Sequence, residues 1–159
     1  MLESKVTFAE IVEVVSNFGS VYVMNSELYL QGNTTFENNI LGSLMGGSLT
    51  VHRGNVHLLP GGMTYFKNNT ADNGAAIHAT NSDIFVGSNA TIIDNSARYS
   101  GGGIYLYQSP MQCNDICILT LVGNRAWSSG GGIYAVSSTI DVLSQQLPHE
   151  GILLQDRAV

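Results

Sequence analysis

Five apolar–variable–apolar triplets recur along this 159-residue chain at a nearly constant interval, and that interval constrains the fold more than any other feature. They are Val21-Tyr22-Val23, Leu49-Thr50-Val51, Ile77-His78-Ala79, Ile104-Tyr105-Leu106 and Ile133-Tyr134-Ala135, with first residues 28, 28, 27 and 29 positions apart. A second triplet begins seven residues after the first: Leu28-Tyr29-Leu30, Val56-His57-Leu58, Ile84-Phe85-Val86 and Ile140-Asp141-Val142. In the fourth repeat Ile116-Cys117-Ile118 is read as its equivalent, displaced by an insertion at 108–115. A third element opens on a large apolar residue and ends in Asn three positions on, as Phe36 to Asn39, Phe66 to Asn69, Ile92 to Asn95 and Leu121 to Asn124. Phe8 precedes Val21 by 13 residues, as Phe36 precedes Leu49. An imperfect coil is therefore expected over 1–18, ahead of repeats at 19–142 and a partial coil or irregular end at 143–159.

Alternation with period two marks a strand with one buried face. Strands this short are unstable alone. They become stable when each repeat lies in register on the last, so that every strand pairs with its equivalent about 4.8 Å away. The apolar residues then form inner columns and the middle residues outer ones. The architecture expected is all-β, a right-handed single-stranded parallel β-helix, with about five coils of roughly 28 residues. The Gly-rich turns Gly46-Gly47-Ser48, Gly74-Ala75-Ala76, Gly101-Gly102-Gly103 and Gly130-Gly131-Gly132 suit close approach of stacked backbones. Asn39, Asn69, Asn95 and Asn124 fall at one turn of successive coils, where stacked amides can hydrogen-bond along the axis. A propeller blade needs about 40 residues, and a sandwich would not keep a 28-residue period.

Composition excludes several function classes. Only 11% of residues are charged, and the net charge is -6. The six basic residues, Lys5, Arg53, Lys67, Arg98, Arg125 and Arg157, are scattered in sequence and predict no basic patch. Nucleic-acid binding, which needs clustered cations, is not expected. No run of 18 apolar residues exists, so no membrane-spanning helix is expected. Residues 1–18 lack the pattern of a signal peptide and already carry repeat-like spacing, as expected for a piece of a longer polypeptide.

The motifs FENN at 36–39, FKNN at 66–69, IIDN at 92–95 and LVGN at 121–124 alternate with GGSL at 46–49, GAAI at 74–77 and GGGI at 101–104 and 130–133. This pairing of F-x-x-N with G-G-A-[ILV] resembles the repeats of chlamydial polymorphic outer membrane proteins, over roughly residues 19–142. Two of the four Phe positions are aliphatic, and no complete GGA-type tetrapeptide is present. The resemblance implies the β-helical passenger of an autotransporter, located outside the cell or on its surface and acting as an adhesin. The chain has no C-terminal series of alternating ten-residue strands of the kind that forms a membrane barrel.

The outward column Tyr22, Thr50, His78, Tyr105 and Tyr134 is a candidate aromatic strip for a glycan or protein ligand, with binding residues Tyr22, His78, Tyr105 and Tyr134. The competing reading is cross-rung packing that stabilises the sheet. A second outer column, Tyr29, His57, Phe85 and Cys117, is read the same way. Glu27, Asp83 and Asp115 are placed just before the second strand, and Asp83 with Asp115 would form a carboxylate pair on adjacent rungs. Such a pair could serve a polysaccharide lyase or hydrolase, although neighbouring columns offer no Lys or Arg and turn formation accounts equally for Asp there. His52, His57, His78 and His149 show no ligand spacing, so no metal or cofactor is expected. Cys113 and Cys117 are candidates for a local disulfide. Asn33, Asn68 and Asn89 head glycosylation sequons compatible with secretion. The function expected is non-catalytic, adhesin-like binding or scaffolding, with a polysaccharide-active enzyme and a pure spacer as the other readings.

Overall fold

The computed structural model describes residues 4–10, 12–15, 21–42, 46–113, 117–142 and 152–155. Its strands in chain order are β1 (Ser4–Phe8), β2 (Val12–Val15), β3 (Val21–Met24), β4 (Ser26–Leu30) and β5 (Thr34–Glu37). Then come β6 (Leu49–His52), β7 (Asn55–Leu58), β8 (Met63–Lys67), β9 (Thr70–Asn73) and β10 (Ile77–Thr80). The next are β11 (Asp83–Val86), β12 (Asn89–Ile93), β13 (Ser96–Ser100), β14 (Ile104–Tyr107) and β15 (Met111–Cys113). The last are β16 (Leu119–Val122), β17 (Arg125–Ala126), β18 (Ile133–Val136), β19 (Ile140–Val142) and β20 (Ile152–Gln155).

Each strand pairs in parallel with its equivalents one repeat before and after. The result is a parallel β-solenoid of about four turns with roughly 28 residues per turn, with no helix among the described residues. The first triplets form a five-stranded sheet, β3-β6-β10-β14-β18. The second form β1-β4-β7-β11-β15-β19, and the third β2-β5-β8-β12-β16-β20. A short sheet, β9-β13-β17, follows the Asn turns.

The inward residues stack as columns. Leu49, Ile77 and Ile104 are in register, as are Leu28, Val56, Ile84 and Met111, and Phe36, Phe66, Ile92 and Leu121. All are nearly or completely buried. Phe36 and Phe66 stack with ring centroids 4.7 Å apart and planes 7° from parallel, a direct consequence of identical residues one rung apart.

Two sequence assignments shift. The second strand of the fourth coil is Met111-Gln112-Cys113, paired with Ile84-Phe85-Val86, and not Ile116-Cys117-Ile118. The extra residues therefore follow this strand instead of preceding it, and Met111 keeps the seven-residue offset from Ile104. At the N-terminus, Phe8 stacks on Leu30, while Val14 of β2 occupies the Phe36 column.

The corners explain residue choices that apolar periodicity leaves open. The bend between the first and second strands puts Asn25, Arg53, Asn81, Gln108 and Ser137 at φ between 49° and 52°. The third position of the F-x-x-N motif does the same: Asn38, Asn68, Asp94 and Gly123 have φ of 57°, 52°, 53° and 67°. Asn, Asp and Gly tolerate this left-handed conformation best. Gly102 serves close approach: a Cβ there would collide with the carbonyls of Arg125 and Gly131.

Candidate binding faces

Four buried asparagines tie the coils together along the axis. Asn69 Oδ1 accepts from Asn39 N at 3.0 Å and Asn39 Nδ2 at 2.9 Å. Asn95 Oδ1 accepts from Asn69 N at 3.0 Å and Nδ2 at 2.9 Å, and Asn124 Oδ1 from Asn95 N at 3.1 Å and Nδ2 at 2.9 Å. Each Nδ2 also reaches a carbonyl of the preceding coil, those of Val14, Phe36, Phe66 and Ile92. With amides this fully engaged at complete burial, the column supports the stack and presents nothing to a ligand.

A serine ladder was missed in the sequence. Ser82 Oγ accepts from Gly54 N, Ser109 Oγ from Ser82 N, and Ser138 Oγ from Ser109 N, at 3.2, 3.1 and 2.9 Å. Each hydroxyl donates to the carbonyl two residues back in its own chain. Aligning the repeats on their first strand would have exposed it, because Ser26, Ser82, Ser109 and Ser138 all lie five residues after the triplet begins.

The first outward column is in register: Tyr22, Thr50, His78, Tyr105 and Tyr134 occupy successive rungs. His78 and Tyr105 stack at 4.8 Å, and Tyr105 and Tyr134 at 5.6 Å. The column is not the uniformly exposed strip expected from sequence. Tyr22 is exposed and Tyr105 and Tyr134 are half-buried, but Thr50 and His78 are buried, at 3% and 6% exposure. The residues before each strand fold back over them: Thr50 Oγ1 donates to the Gly47 carbonyl at 3.2 Å, and His78 Nδ1 lies 3.4 Å from the Asn73 carbonyl. Burial holds the His78 imidazole below the usual histidine range and raises the Tyr105 phenol above its usual value.

The second outward column contains Tyr29, His57, Phe85 and, in place of Cys117, Gln112. His57 is sandwiched between Tyr29 at 4.4 Å and Phe85 at 4.7 Å, and desolvation lowers its pKa. Lys5, in register with Glu27, reaches across so that its Nζ sits 4.0 Å from the Tyr29 ring centroid, a cation–π contact. The Tyr29 hydroxyl donates to Glu27 at 2.7 Å, lowering the carboxyl pKa and raising that of the phenol. So complete a stack is sheet packing in chemical character.

Of the candidate carboxylate pair, Asp83 is the member among the described residues. Asp83 aligns with Asn55, and the position after it in the next coil is Pro110, whose carbonyl accepts from Ile84 N. Asp115 lies outside the described residues. Among the described residues no group of three or more His, Cys, Asp or Glu could hold a metal. Cys113 and Cys117 are bridged, with Cα atoms 5.7 Å apart and both side chains buried. Of the sequon asparagines, Asn33 and Asn68 are exposed and Asn89 is half-buried. Asn33 Oδ1 accepts from Met63 N, and Asn68 Nδ2 donates to Asn38 Oδ1.

Stacking also creates a juxtaposition that the linear sequence hides. Ser96 pairs with Arg125 and Ala97 with Ala126, so two of the six basic residues, Arg98 and Arg125, come onto adjacent rungs beside Trp127. Two cations a repeat apart in sequence thus fall on neighbouring rungs, because one repeat of sequence equals one rung in space.

These features define a parallel β-solenoid stabilised by polar ladders. Within it, residues 64–80 match the Chlamydia polymorphic membrane protein repeat, a stretch that runs from β8 through FKNN and the Gly74 turn to the end of β10. No curated protein and no solved structure matches the chain. Among the described residues no helix is long and apolar enough to cross a membrane.

Proposed function

We propose that this chain is one stretch of a longer surface-displayed protein, a non-catalytic solenoid whose outward aromatic positions make adhesin-like contacts with a glycan or a protein. The observation that carries the reading is the difference between the two outer columns. Both columns stack, Tyr105 between His78 and Tyr134 as His57 between Tyr29 and Phe85, but in the second the Tyr29 hydroxyl is also taken up, by Glu27. In the first, Tyr22 is 57% exposed, and the Tyr105 and Tyr134 hydroxyls have no hydrogen-bond partner among the described residues. Amphipathic rings held on a rigid sheet with their polar tips unused suit recognition. The repeat match at residues 64–80 supports a location on a cell surface. The alignment of Asp83 with Asn55 and Pro110 weighs against the polysaccharide-cleaving alternative.

The test is a binding and turnover screen of the purified chain on polysaccharides and cell surfaces. A Tyr105→Ala/Tyr134→Ala variant and an Asp83→Asn/Asp115→Asn variant are run alongside. Binding without product, lost in the tyrosine variant, is the expected result. Shortened polysaccharide abolished by the aspartate variant would replace this reading with an enzyme, and no binding at all would replace it with a spacer.

A further inference from the structure

The geometry points to a site for an anionic sugar, bearing carboxylate or sulfate, on the β13–β17 face, formed by Trp127, Arg98, Arg125 and Ser96. This site is separate from the tyrosine column and does not depend on it.

The face is built by a local irregularity. Between Ala97 and Ser100 the chain has one more residue than between Ala71 and Asn73 of the preceding coil, so β13 bulges where Arg98 and Tyr99 face outward in succession. Bulges re-aim side chains and gather near functional sites. The next coil keeps the extra residue: Ala97 pairs with Ala126 and Ser100 bridges Ser129, which sets Arg98 opposite Trp127 and Tyr99 opposite Ser128. Ser128 N donates to the Tyr99 carbonyl at 2.9 Å, which holds that register. Ala97 and Ala126 point inward and are buried, so Ser96, Arg98, Arg125 and Trp127 all face out.

Trp127 is the chain's single tryptophan and is 85% exposed, more than any other large hydrophobic residue described. Among the described residues it makes no ring stack and no cation–π contact. Ser96, Arg125, Ala126 and Trp127 line a shallow depression of about 440 Å³, within the range of small-ligand sites. Neither arginine is in an ion pair among the described residues. Arg98 instead rests against its neighbour, 5.3 Å from the Tyr99 ring centroid. Asp72, between Ala71 and Asn73 on the preceding rung, forms no ion pair with either arginine among the described residues.

The chemistry of the ligand follows from the groups. An indole face takes the apolar C–H face of a sugar ring, while its N–H serves a hydroxyl. The guanidinium forks donate and never accept, so they select acceptor-only groups, carboxylate or sulfate, in bidentate fashion. Because the chain carries a net charge of -6, a long polyanion is repelled at range, and recognition falls to a short acidic segment of a glycan.

Trp127 reports on its own site, since intrinsic tryptophan fluorescence comes from it alone. The chain is titrated with trigalacturonate, with its methyl ester, with a sulfated trisaccharide, and with a short oligothymidylate. A saturable change with trigalacturonate or the sulfated sugar is expected, and which of the two binds tighter identifies the anion. The methyl ester should bind at least about tenfold more weakly, the value of one or two lost charge-assisted hydrogen bonds. Arg98→Gln and Arg125→Gln should each weaken acidic-sugar binding to a similar degree with unchanged circular dichroism, and Tyr105→Ala/Tyr134→Ala should leave it unaltered. No saturable change with either acidic sugar would overturn the proposal. So would equal binding of ester and acid, an equal response to oligothymidylate, or loss of the signal in the tyrosine variant.

Discussion

Replacing Asn95 with Ala removes the centre of the asparagine ladder and tests whether polar columns, as well as apolar ones, hold the coils together. In the folded chain the Asn95 side chain accepts from Asn69 N and Nδ2, and donates to Phe66 O at 3.0 Å and Asn124 Oδ1 at 2.9 Å. The site is wholly buried, so water cannot replace these partners. The Asn69 N–H loses its acceptor, and an orphaned buried donor costs about 1–3 kcal/mol. The two donated bonds add about 0.5–1.5 kcal/mol each, which gives an expected destabilisation of about 2–6 kcal/mol. The comparison is Asn68→Gly, one residue away. It deletes an exposed amide bonded only to Asn38 but keeps the left-handed backbone at φ 52°. That variant should stay within about 0.5 kcal/mol of the parent. Urea unfolding followed by far-UV circular dichroism measures both. Equal midpoints for the two variants would show that the ladder is an accompaniment of the fold and not a support.

Three further outcomes follow from the same structure. Ile104→Asp puts a carboxylate at a position with no solvent exposure, and should abolish the cooperative β-type transition; a retained cooperative melt would refute the column assignment. Gly102→Ala forces a Cβ against the Arg125 and Gly131 carbonyls and should cost about 1–3 kcal/mol, read as a lower urea midpoint; an unchanged midpoint would show that the stacked turns can separate freely. Burial lowers the folded-state pKa of both His57 and His78, so the unfolded chain binds protons more readily near pH 6.5. Their contribution is therefore complete above about pH 6.5 and is lost as pH falls toward the folded values. The thermal midpoint should drop between pH 7.5 and 5.5, and His78→Tyr, which extends the tyrosine column, should reduce the drop. A midpoint that rises on acidification would contradict the sign.

What was legible in the sequence depended on whether a residue type repeats. The inner columns and the Asn ladder could be read because Leu49, Ile77 and Ile104, or Asn69, Asn95 and Asn124, repeat the same chemistry at the repeat interval. Ile116-Cys117-Ile118 misled because it is a better apolar triplet than Met111-Gln112-Cys113. The seven-residue offset from Ile104 was the stronger signal, since corner geometry fixes loop length more tightly than strand composition is fixed. Phe8 misled for a related reason: its 13-residue spacing to Val21 matched the Phe column, yet backbone register sets it on Leu30. Burial of His78 was not legible, because the turn that covers it is made of small residues whose path no local pattern specifies.

The surface follows a different logic from the interior. Inside, every coil must present the same kind of residue at the same position, since each rung is packed between two others. Outside, a residue is free unless it stacks on its neighbour, as Tyr29, His57 and Phe85 do. Trp127 obeys neither rule: it is 85% exposed, makes no ring stack among the described residues, repeats nowhere, and lies one rung from the β13 bulge. A fold built from repetition gains nothing in stability from such a departure. An exposed indole beside two guanidiniums that form no ion pair among the described residues is the departure that the proposed acidic-sugar site accounts for.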